Sequence, residues 1–127
     1  NPPFFSGGTF SFNQDRNSVR HTVKLPHNDL LRAVRRLLHK QGRFATILPL
    51  LEGLRFRELA ESYHLYCTQM IEVQPKPSRS AERLLLVFEK EAKAIPGHTS
   101  TLVLMQEDDI HRTEAYRSLT EAFYLNP

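Results

Sequence analysis

The chain has 127 residues, of which 40% are hydrophobic and 24% charged, and its formal net charge is +3. This composition is typical of one globular domain, and the single cysteine, Cys67, excludes an internal disulfide and a thiolate metal cluster. No apolar run approaches the roughly 20 residues of a membrane helix, so we expect no membrane partner and an intracellular location, nuclear or cytoplasmic.

The first 18 residues predict an extended arm. The arm is rich in Phe, Gly and Pro, and it either docks on the domain or is mobile. Residues 19–127 are expected to form one domain, beginning with a short strand near 19–24. The chain opens with Asn1 rather than Met, which predicts a fragment of a longer protein.

A helix is predicted from about residue 28 to residue 41. Asn28 is a favourable N-cap, Asp29 suits the positive start of a helix, and Gly42 is typical of the position after a helix end. The apolar stripe that would face the core consists of Leu30, Leu31, Val34, Leu37 and Leu38. The apolar residues from Phe44 to Leu51 predict a turn or a second helix broken at Pro49.

The remaining segments predict two helices and three strands. The stretch 82–92 favours either a helix or a strand, and we predict a strand because five consecutive apolar residues suit a buried one. The fold class is therefore α+β, a small two-layer domain with helices packed on a three-stranded sheet. Its predicted helices are 28–41, 52–63 and 107–124, and its strands are 66–73, 83–89 and 100–105.

Basic residues recur on one face of the first predicted helix. They could contact a polyanion together, whereas the alternative is an ordinary solvated helix face. The residues are Arg32, Arg35, Arg36, His39 and Lys40.

Two further basic groups are candidates for phosphate contacts. Arg55 and Arg57 on the second helix could bridge phosphates, or instead pair with acids of the same helix. Lys76, Arg79 and Arg83 in and beside the Pro-rich loop could form a clamp, or a plain solvent loop.

The sequence offers little for catalysis. Its six histidines form no His-x-x-x-His pair, and neither a Gly-rich phosphate loop nor a Gly-x-Ser-x-Gly elbow occurs. His98, Asp108, Asp109 and His111 lie close in sequence, although acids at a helix start explain the aspartates better. We therefore predict no enzyme, no catalytic residue, no metal and no cofactor.

Residues 48–96 resemble the R-three-H domain, a small module that binds single-stranded nucleic acid. The similar features are Leu48-Pro49 at the entry, the pattern from Leu59-Ala60 to Tyr63-His64-Leu65, and the closing Ile95-Pro96. Aligned on Leu59-Ala60, the family's His position holds Arg57 and its Arg position holds Gly53. The resemblance implies binding of single-stranded RNA or DNA through the second helix.

The predicted function is a non-catalytic module that binds single-stranded RNA or DNA through these basic groups. The alternative is a protein-interaction module, because the helix–helix–hairpin order also resembles a winged helix. In that case four aromatic side chains of the arm would anchor in a partner: Phe4, Phe5, Phe10 and Phe12. The oligomeric state is left open.

Overall fold

The computed structural model describes residues 1–2, 26–93 and 98–124. The predicted arm beyond Pro2 and the predicted strand near 19–24 lie outside this part of the chain. The elements in order are α1 (His27–Leu37), β1 (Phe44–Pro49), α2 (Leu50–Glu61), β2 (Tyr66–Gln74), β3 (Arg83–Glu89), β4 (His98–Val103) and α3 (Glu114–Thr120). None of the helices described here is long and apolar enough to span a membrane.

The four strands form one mixed sheet in the order β1-β3-β2-β4. β3 runs antiparallel to both β1 and β2, and β4 runs parallel to β2. β1, β2 and β4 therefore point the same way, with β3 alone reversed. The predicted α+β class is confirmed, with four strands in place of three, and the ambiguous stretch 82–92 contains a strand.

The core lies between one face of the sheet and the helices α1 and α2. Leu84, Leu86 and Phe88 alternate along β3 and are fully buried. They pack with Phe56 of α2 and Leu31 of α1. The ring centroids of Phe56 and Phe88 lie 5.5 Å apart in an edge-to-face arrangement, which is a favourable geometry for aromatic pairs.

α1 ends four residues before the predicted end. Leu38 leaves the helix with extended backbone angles, φ −71° and ψ 131°, and packs against the core. Gly42 has no positive φ, so it is not the predicted residue after a helix end. A Cβ on Gly42 would lie 2.9 Å from Leu38 Cδ1, so the glycine permits close packing instead.

β1 is a strand where the sequence predicted a turn or a helix. Its residues pair one by one with β3, from Phe44 opposite Phe88 to Pro49 opposite Arg83. Thr46 and Leu48 are buried while Ala45 and Pro49 are exposed, as expected for alternating side chains. The run is too short for helical and strand periods to be distinguished without its neighbour.

The last helix covers only part of the predicted range 107–124. Asp109 has φ 57°, in the left-handed region, which is incompatible with a helix beginning at residue 107. Thr113 is the true N-cap, and its hydroxyl accepts a hydrogen bond from the Tyr116 N–H. Within the range predicted as this helix, the apolar residues Ile110 and Leu119 are 74% and 62% exposed, so they do not face the core.

Candidate functional site

The carboxyl ends of the three parallel strands meet at one edge of the sheet. β1 ends at Pro49, β2 at Gln74 and β4 at Val103. In open sheets with parallel strands, ligands bind in the crevice beyond these ends. We call this region the carboxyl edge, and it comprises the start of α2 (50–55), the β2–β3 loop with the first residue of β3 (75–83) and the segment 104–112.

Hydrogen bonds join the three segments of the carboxyl edge. The Leu50 N–H donates to the Glu82 carbonyl at 2.9 Å, and the Leu104 N–H donates to the Gln74 carbonyl at 2.9 Å. The Ser78 hydroxyl donates to the Glu107 carboxylate at 2.8 Å. These bonds hold the β2–β3 loop against the segment 104–112.

The segment 104–112 is shaped by the Asp108 carboxylate. This carboxylate accepts hydrogen bonds from the Ile110 and His111 N–H groups at 2.9 and 3.0 Å, and it lies 2.6 Å from His111 Nδ1. The side-chain contact with His111, followed by the two N–H groups, lowers the pKa of Asp108 to about 2. Asp108 and His111, two of the four residues noted in the sequence, thus build a turn.

No metal site is present in the described residues, since no three His, Cys, Asp or Glu side chains there could hold an ion. Cys67 is half-buried, and burial raises the pKa of its thiol. A raised pKa reduces the thiolate fraction at neutral pH, so this cysteine is not an activated nucleophile.

Most of the cations at the carboxyl edge are paired with acids. Lys76 Nζ lies 3.0 Å from Asp109 Oδ2, and Arg79 Nη2 lies 2.9 Å from Glu82 Oε1. Arg55 lies 3.8 Å from Glu52. Pairing leaves the edge close to neutral, and such exposed pairs contribute little to stability.

Apolar side chains are exposed at the start of α2. Leu51 is 66% exposed and Leu54 is 43% exposed, although Gly53 between them in the sequence is buried. A near-neutral edge with exposed leucines suits a flat, uncharged ligand better than a phosphate chain. This feature follows from the β1–α2 junction, which the sequence analysis did not recognise.

The predicted basic residues do not converge on one surface. Arg79 and Arg83 lie at the carboxyl edge, where Arg83 opens β3 opposite Pro49. Arg57 lies over β2 and donates to the Met70 sulfur at 3.8 Å. Their role in binding nucleic acid stays a prediction.

The basic residues of α1 lie toward the opposite end of the sheet. Arg35 donates to the His64 carbonyl at 3.3 Å, just before β2 begins. Arg32 lies 3.4 Å from Asp29 on its own helix. Arg36 and Lys40 are exposed at the end of α1 and just beyond it. The basic residues of α1 and those at the carboxyl edge therefore form two separate regions.

A cleft of about 440 Å³ lies between the start of α1 and the outer side of α2. His27, Arg55 and Glu58 line it, together with Leu59 and Ser62. Of the predicted binding residues, Arg55 alone is among these. Burial lowers the pKa of His27, against the opposing charge of Glu52.

Comparison with known proteins finds relatives that share one name. No protein-family model matches the chain. A tRNA1(Val) (adenine(37)-N6)-methyltransferase of Aliivibrio salmonicida is 32% identical over 128 residues, covering 99% of this chain and 52% of that protein. The protein of the same name from Bacteroides thetaiotaomicron is 31% identical over 126 residues, with 99% and 52% covered. The chain spans about half the length of the curated relatives it matches.

One solved structure has a similar fold. A predicted O-methyltransferase from Agrobacterium tumefaciens superimposes with a TM-score of 0.64 at 14% identity, covering 75% of this chain and 45% of that one. At this identity the similarity concerns the fold alone.

The relatives contradict two predictions, the non-catalytic binding module (nucleic-acid or protein) and the absence of an enzyme. Nearly the whole chain matches proteins that are named as methyltransferases. Histidine pairs, metal ligands and activated nucleophiles are the patterns whose absence from the sequence predicted no enzyme. Transfer of a methyl group depends chiefly on the position of two substrates, so it leaves none of those patterns.

The resemblance to the R-three-H domain stays untested. The structure does show what surrounds the position at which that family carries arginine. Gly53 is buried, and a Cβ there would lie 3.0 Å from Leu84 Cδ1 and 3.1 Å from Leu84 Cβ. An arginine at this position would point into the core of this fold.

Proposed function

We propose that this chain forms half of a tRNA adenine-N6 methyltransferase and that its carboxyl edge receives the target adenine. The observation that carries the proposal is the match of 98–99% of the chain, at 31–33% identity, to enzymes of that name. The position of the carboxyl edge supports it, because open sheets bind ligands there.

The chemistry of the carboxyl edge fits a nucleobase. Enzymes that modify a base take it out of its stack and hold it between aromatic or apolar side chains. Leu51 and Leu54 are exposed apolar side chains at the start of α2. The nearby cations pair with Glu52, Glu82 and Asp109, so little net charge is left at the carboxyl edge. Binding of an uncharged adenine there is therefore not opposed by a strong electrostatic field.

Asn1 is a candidate for holding the adenine amine, although the sequence analysis gave it no role. Its side-chain carbonyl can accept a hydrogen bond from an exocyclic N–H. Pro2 and Pro3 follow, and prolines fix φ and donate no hydrogen bond. Phe4 then offers a ring on which a base could stack.

The methyl donor, S-adenosylmethionine in the test below, supplies an electrophilic methyl group. The described residues fit this donor poorly. The strand ends carry Pro49-Leu50, Gln74-Pro75 and Val103-Leu104 rather than a glycine-rich turn. We therefore assign no donor contact to this chain.

The two basic regions are proposed to contact the tRNA backbone. Phosphate contacts fix the orientation of a nucleic acid without reading its sequence. Arg36 and Lys40 are exposed and well placed for such contacts, as is Arg83 at the carboxyl edge. An enzyme acting on bacterial tRNA would work in the cytoplasm, and the bacterial relatives give no support to the predicted nuclear alternative.

A chimera tests the proposal. The matching residues of the Aliivibrio salmonicida relative are replaced by this chain, and methyl transfer to tRNA1(Val) is measured with tritiated S-adenosylmethionine. We expect N6-methyladenosine at position 37, by analogy with that relative, and no product from a tRNA carrying guanine there. A chimera that unfolds cooperatively but transfers no methyl group would contradict the proposal.

Two asparagine variants of the chimera distinguish a role in binding adenine from a general effect of the substitution on the enzyme. Asn1→Ala should lower kcat by about 100-fold, comparable to removal of one transition-state hydrogen bond. Asn28→Ala should leave kcat unchanged, because Asn28 accepts a hydrogen bond from the Tyr63 hydroxyl at the helix layer. Equal effects of the two substitutions would remove Asn1 from the proposal.

A further inference from the structure

The cleft between α1 and α2 adjoins the carboxyl edge. Its volume, about 440 Å³, lies in the usual range of small-molecule sites, about 300–1,000 Å³. Arg55 belongs to both regions, because it is the last residue of the α2 part of the carboxyl edge and also lines the cleft. A ligand held at the carboxyl edge can therefore extend into the cleft.

One stripe of side chains on α2 leads from the carboxyl edge into the cleft. The stripe consists of Leu51, Arg55, Glu58 and Ser62, at steps of three or four residues, which place them on one side of the helix. Leu54 and Glu58 lie about 6 Å apart along the helix axis. Neighbouring bases stack about 3.4 Å apart in a nucleic acid and lie farther apart when unstacked. The nucleotide next to a base at Leu54 can thus reach Glu58.

Arg55 and Glu58 provide the cleft with a donor and an acceptor. The Arg55 guanidinium is 71% exposed and lies 3.8 Å from Glu52, which is longer than a hydrogen bond. In the described part of the chain, the Glu58 carboxylate has no hydrogen-bond or ion-pair partner. Both groups are therefore available to a ligand, the guanidinium as donor and the carboxylate as acceptor.

The other described residues of the cleft provide apolar and aromatic surface. Leu59 is half-buried and packs against the core. The His27 ring lies edge-on to the Phe56 ring, with centroids 5.0 Å apart. The Ser62 hydroxyl donates to the Leu59 carbonyl at 2.6 Å, so its oxygen can still accept a hydrogen bond. Apolar walls with a few polar groups are typical of sites that hold an unstacked base.

The pair of opposite charges restricts the class of ligand. Glu58 would repel a phosphate, and Arg55 would repel a cation. A neutral base that carries an amino group next to a ring-nitrogen acceptor satisfies both side chains at once. Cytosine and adenine have this arrangement on their Watson–Crick edges, whereas uracil places a carbonyl where cytosine has its amine.

We propose that the cleft binds the nucleotide on the 5′ side of the target adenine, with Glu58 accepting a hydrogen bond from the amino group of its base. Arg55 donates to the neighbouring ring nitrogen. The inference rests on the proposed function, since the adenine at the carboxyl edge fixes which nucleotide is the neighbour.

The identity of this neighbour follows from the tRNA for which the relatives are named. Position 37 directly follows the anticodon, so its 5′ neighbour pairs with the first base of the codon. Every valine codon begins with guanine, and the neighbour is therefore cytosine. Because anticodons differ between tRNAs, recognition of this base would help to select the substrate, whereas phosphate contacts carry no sequence information.

Base recognition is tested by fluorescence anisotropy with the full 127-residue chain and labelled RNA hairpins at one salt concentration. The hairpin loop carries the target adenine, preceded by either cytosine or uracil. We expect the cytosine hairpin to bind about 10-fold more tightly, the size expected of one specific base contact. Exchange of the nucleotide on the 3′ side of the adenine should leave the affinity unchanged.

Two glutamate variants distinguish base recognition from a general effect of charge. Glu58→Gln should give nearly equal affinities for the two hairpins, because an amide can also donate to the uracil carbonyl. Glu91→Gln removes the same charge from an exposed glutamate just beyond the end of β3 and should retain the preference for cytosine. Glu58 is exposed, so its substitution should not affect folding.

The outcomes separate this inference from the proposed function, because anisotropy does not depend on methyl transfer. A preference for cytosine in this chain, together with an inactive chimera, would retain the base site and overturn the function. Absence of binding, equal affinities for the two hairpins, a preference that persists in Glu58→Gln, or a dependence on the 3′ nucleotide instead would each overturn the base site. Methyl transfer by the chimera would then leave the proposed function intact.

Discussion

The two faces of the sheet differ in how far the described helices cover them. Leu86 is fully buried under the helices, whereas its neighbour Leu85 points the other way and keeps partial exposure. Both belong to the central strand β3 and both pair with residues of β1 and β2. One chain thus contains a complete helix-covered face and an apolar face that no described helix covers.

This difference indicates which face of the sheet forms a complete core within the described residues. Burial of apolar side chains is the main favourable term in folding, and the covered face supplies it through Phe56, Phe88 and the leucines around them. The opposite face, which we call the open face, carries Leu85 and Val87 of β3 and has the composition of a core without a second layer. Stability should therefore depend more strongly on the covered face than on the open face.

The largest effect should come from truncating leucines on the two faces. Leu86→Ala should lower the free energy of unfolding by about 2–5 kcal/mol, as for other fully buried leucines. Leu85→Ala should cost about 1 kcal/mol, because that side chain is only partly removed from water. Urea denaturation of both variants measures the difference. Equal costs would mean that the open face is already covered.

A smaller effect is expected where α2 meets the covered face. Gly53→Ala places a Cβ 3.0–3.1 Å from Leu84. Such overpacking costs about 1–3 kcal/mol, and the gain in helix propensity offsets about 1 kcal/mol of it. We expect net destabilisation by thermal unfolding. In a Leu84→Ala background the same substitution should be neutral or stabilising, and a persistent cost there would refute the packing explanation.

The smallest effect concerns pH at the rim of the covered face. His27 lies edge-on to Phe56, with ring centroids 5.0 Å apart, and burial lowers its pKa. The unfolded chain then binds the proton more tightly, so stability should fall as pH drops below about 6.5. Unfolding curves of the wild type and His27→Gln between about pH 7.5 and about pH 5 test this. Parallel pH profiles would contradict it.

Much of the fold could be predicted from local patterns. The α+β class, the strands 66–73 and 83–89 and the presence of the first two helices follow from apolar periodicity and turn residues. β1 could not be predicted, because its identity depends on pairing with β3. The paired residues are 34 to 44 positions apart in sequence, from Pro49–Arg83 to Phe44–Phe88. The predicted range of the last helix begins too early, because the acids of the turn around Asp108 are also typical of a helix start.

The candidate site was less predictable than the fold. Its position depends on three strand ends that are distant in sequence, Pro49, Gln74 and Val103. The basic residues attracted attention because arginine and lysine are easily recognised, yet several of them pair with neighbouring acids. Asn1-Pro2-Pro3-Phe4 was visible in the sequence, but only the relatives' adenine chemistry gives it a meaning.

Reconstituted methyl transfer tests the central claim most directly. This chain and the remainder of the Aliivibrio salmonicida relative are assayed separately and together, with tRNA1(Val) and tritiated S-adenosylmethionine. We predict that neither part alone methylates the tRNA and that the mixture produces N6-methyladenosine at position 37, the site in that relative's name. A stable complex of the two parts that leaves the adenine unmethylated would contradict the claim.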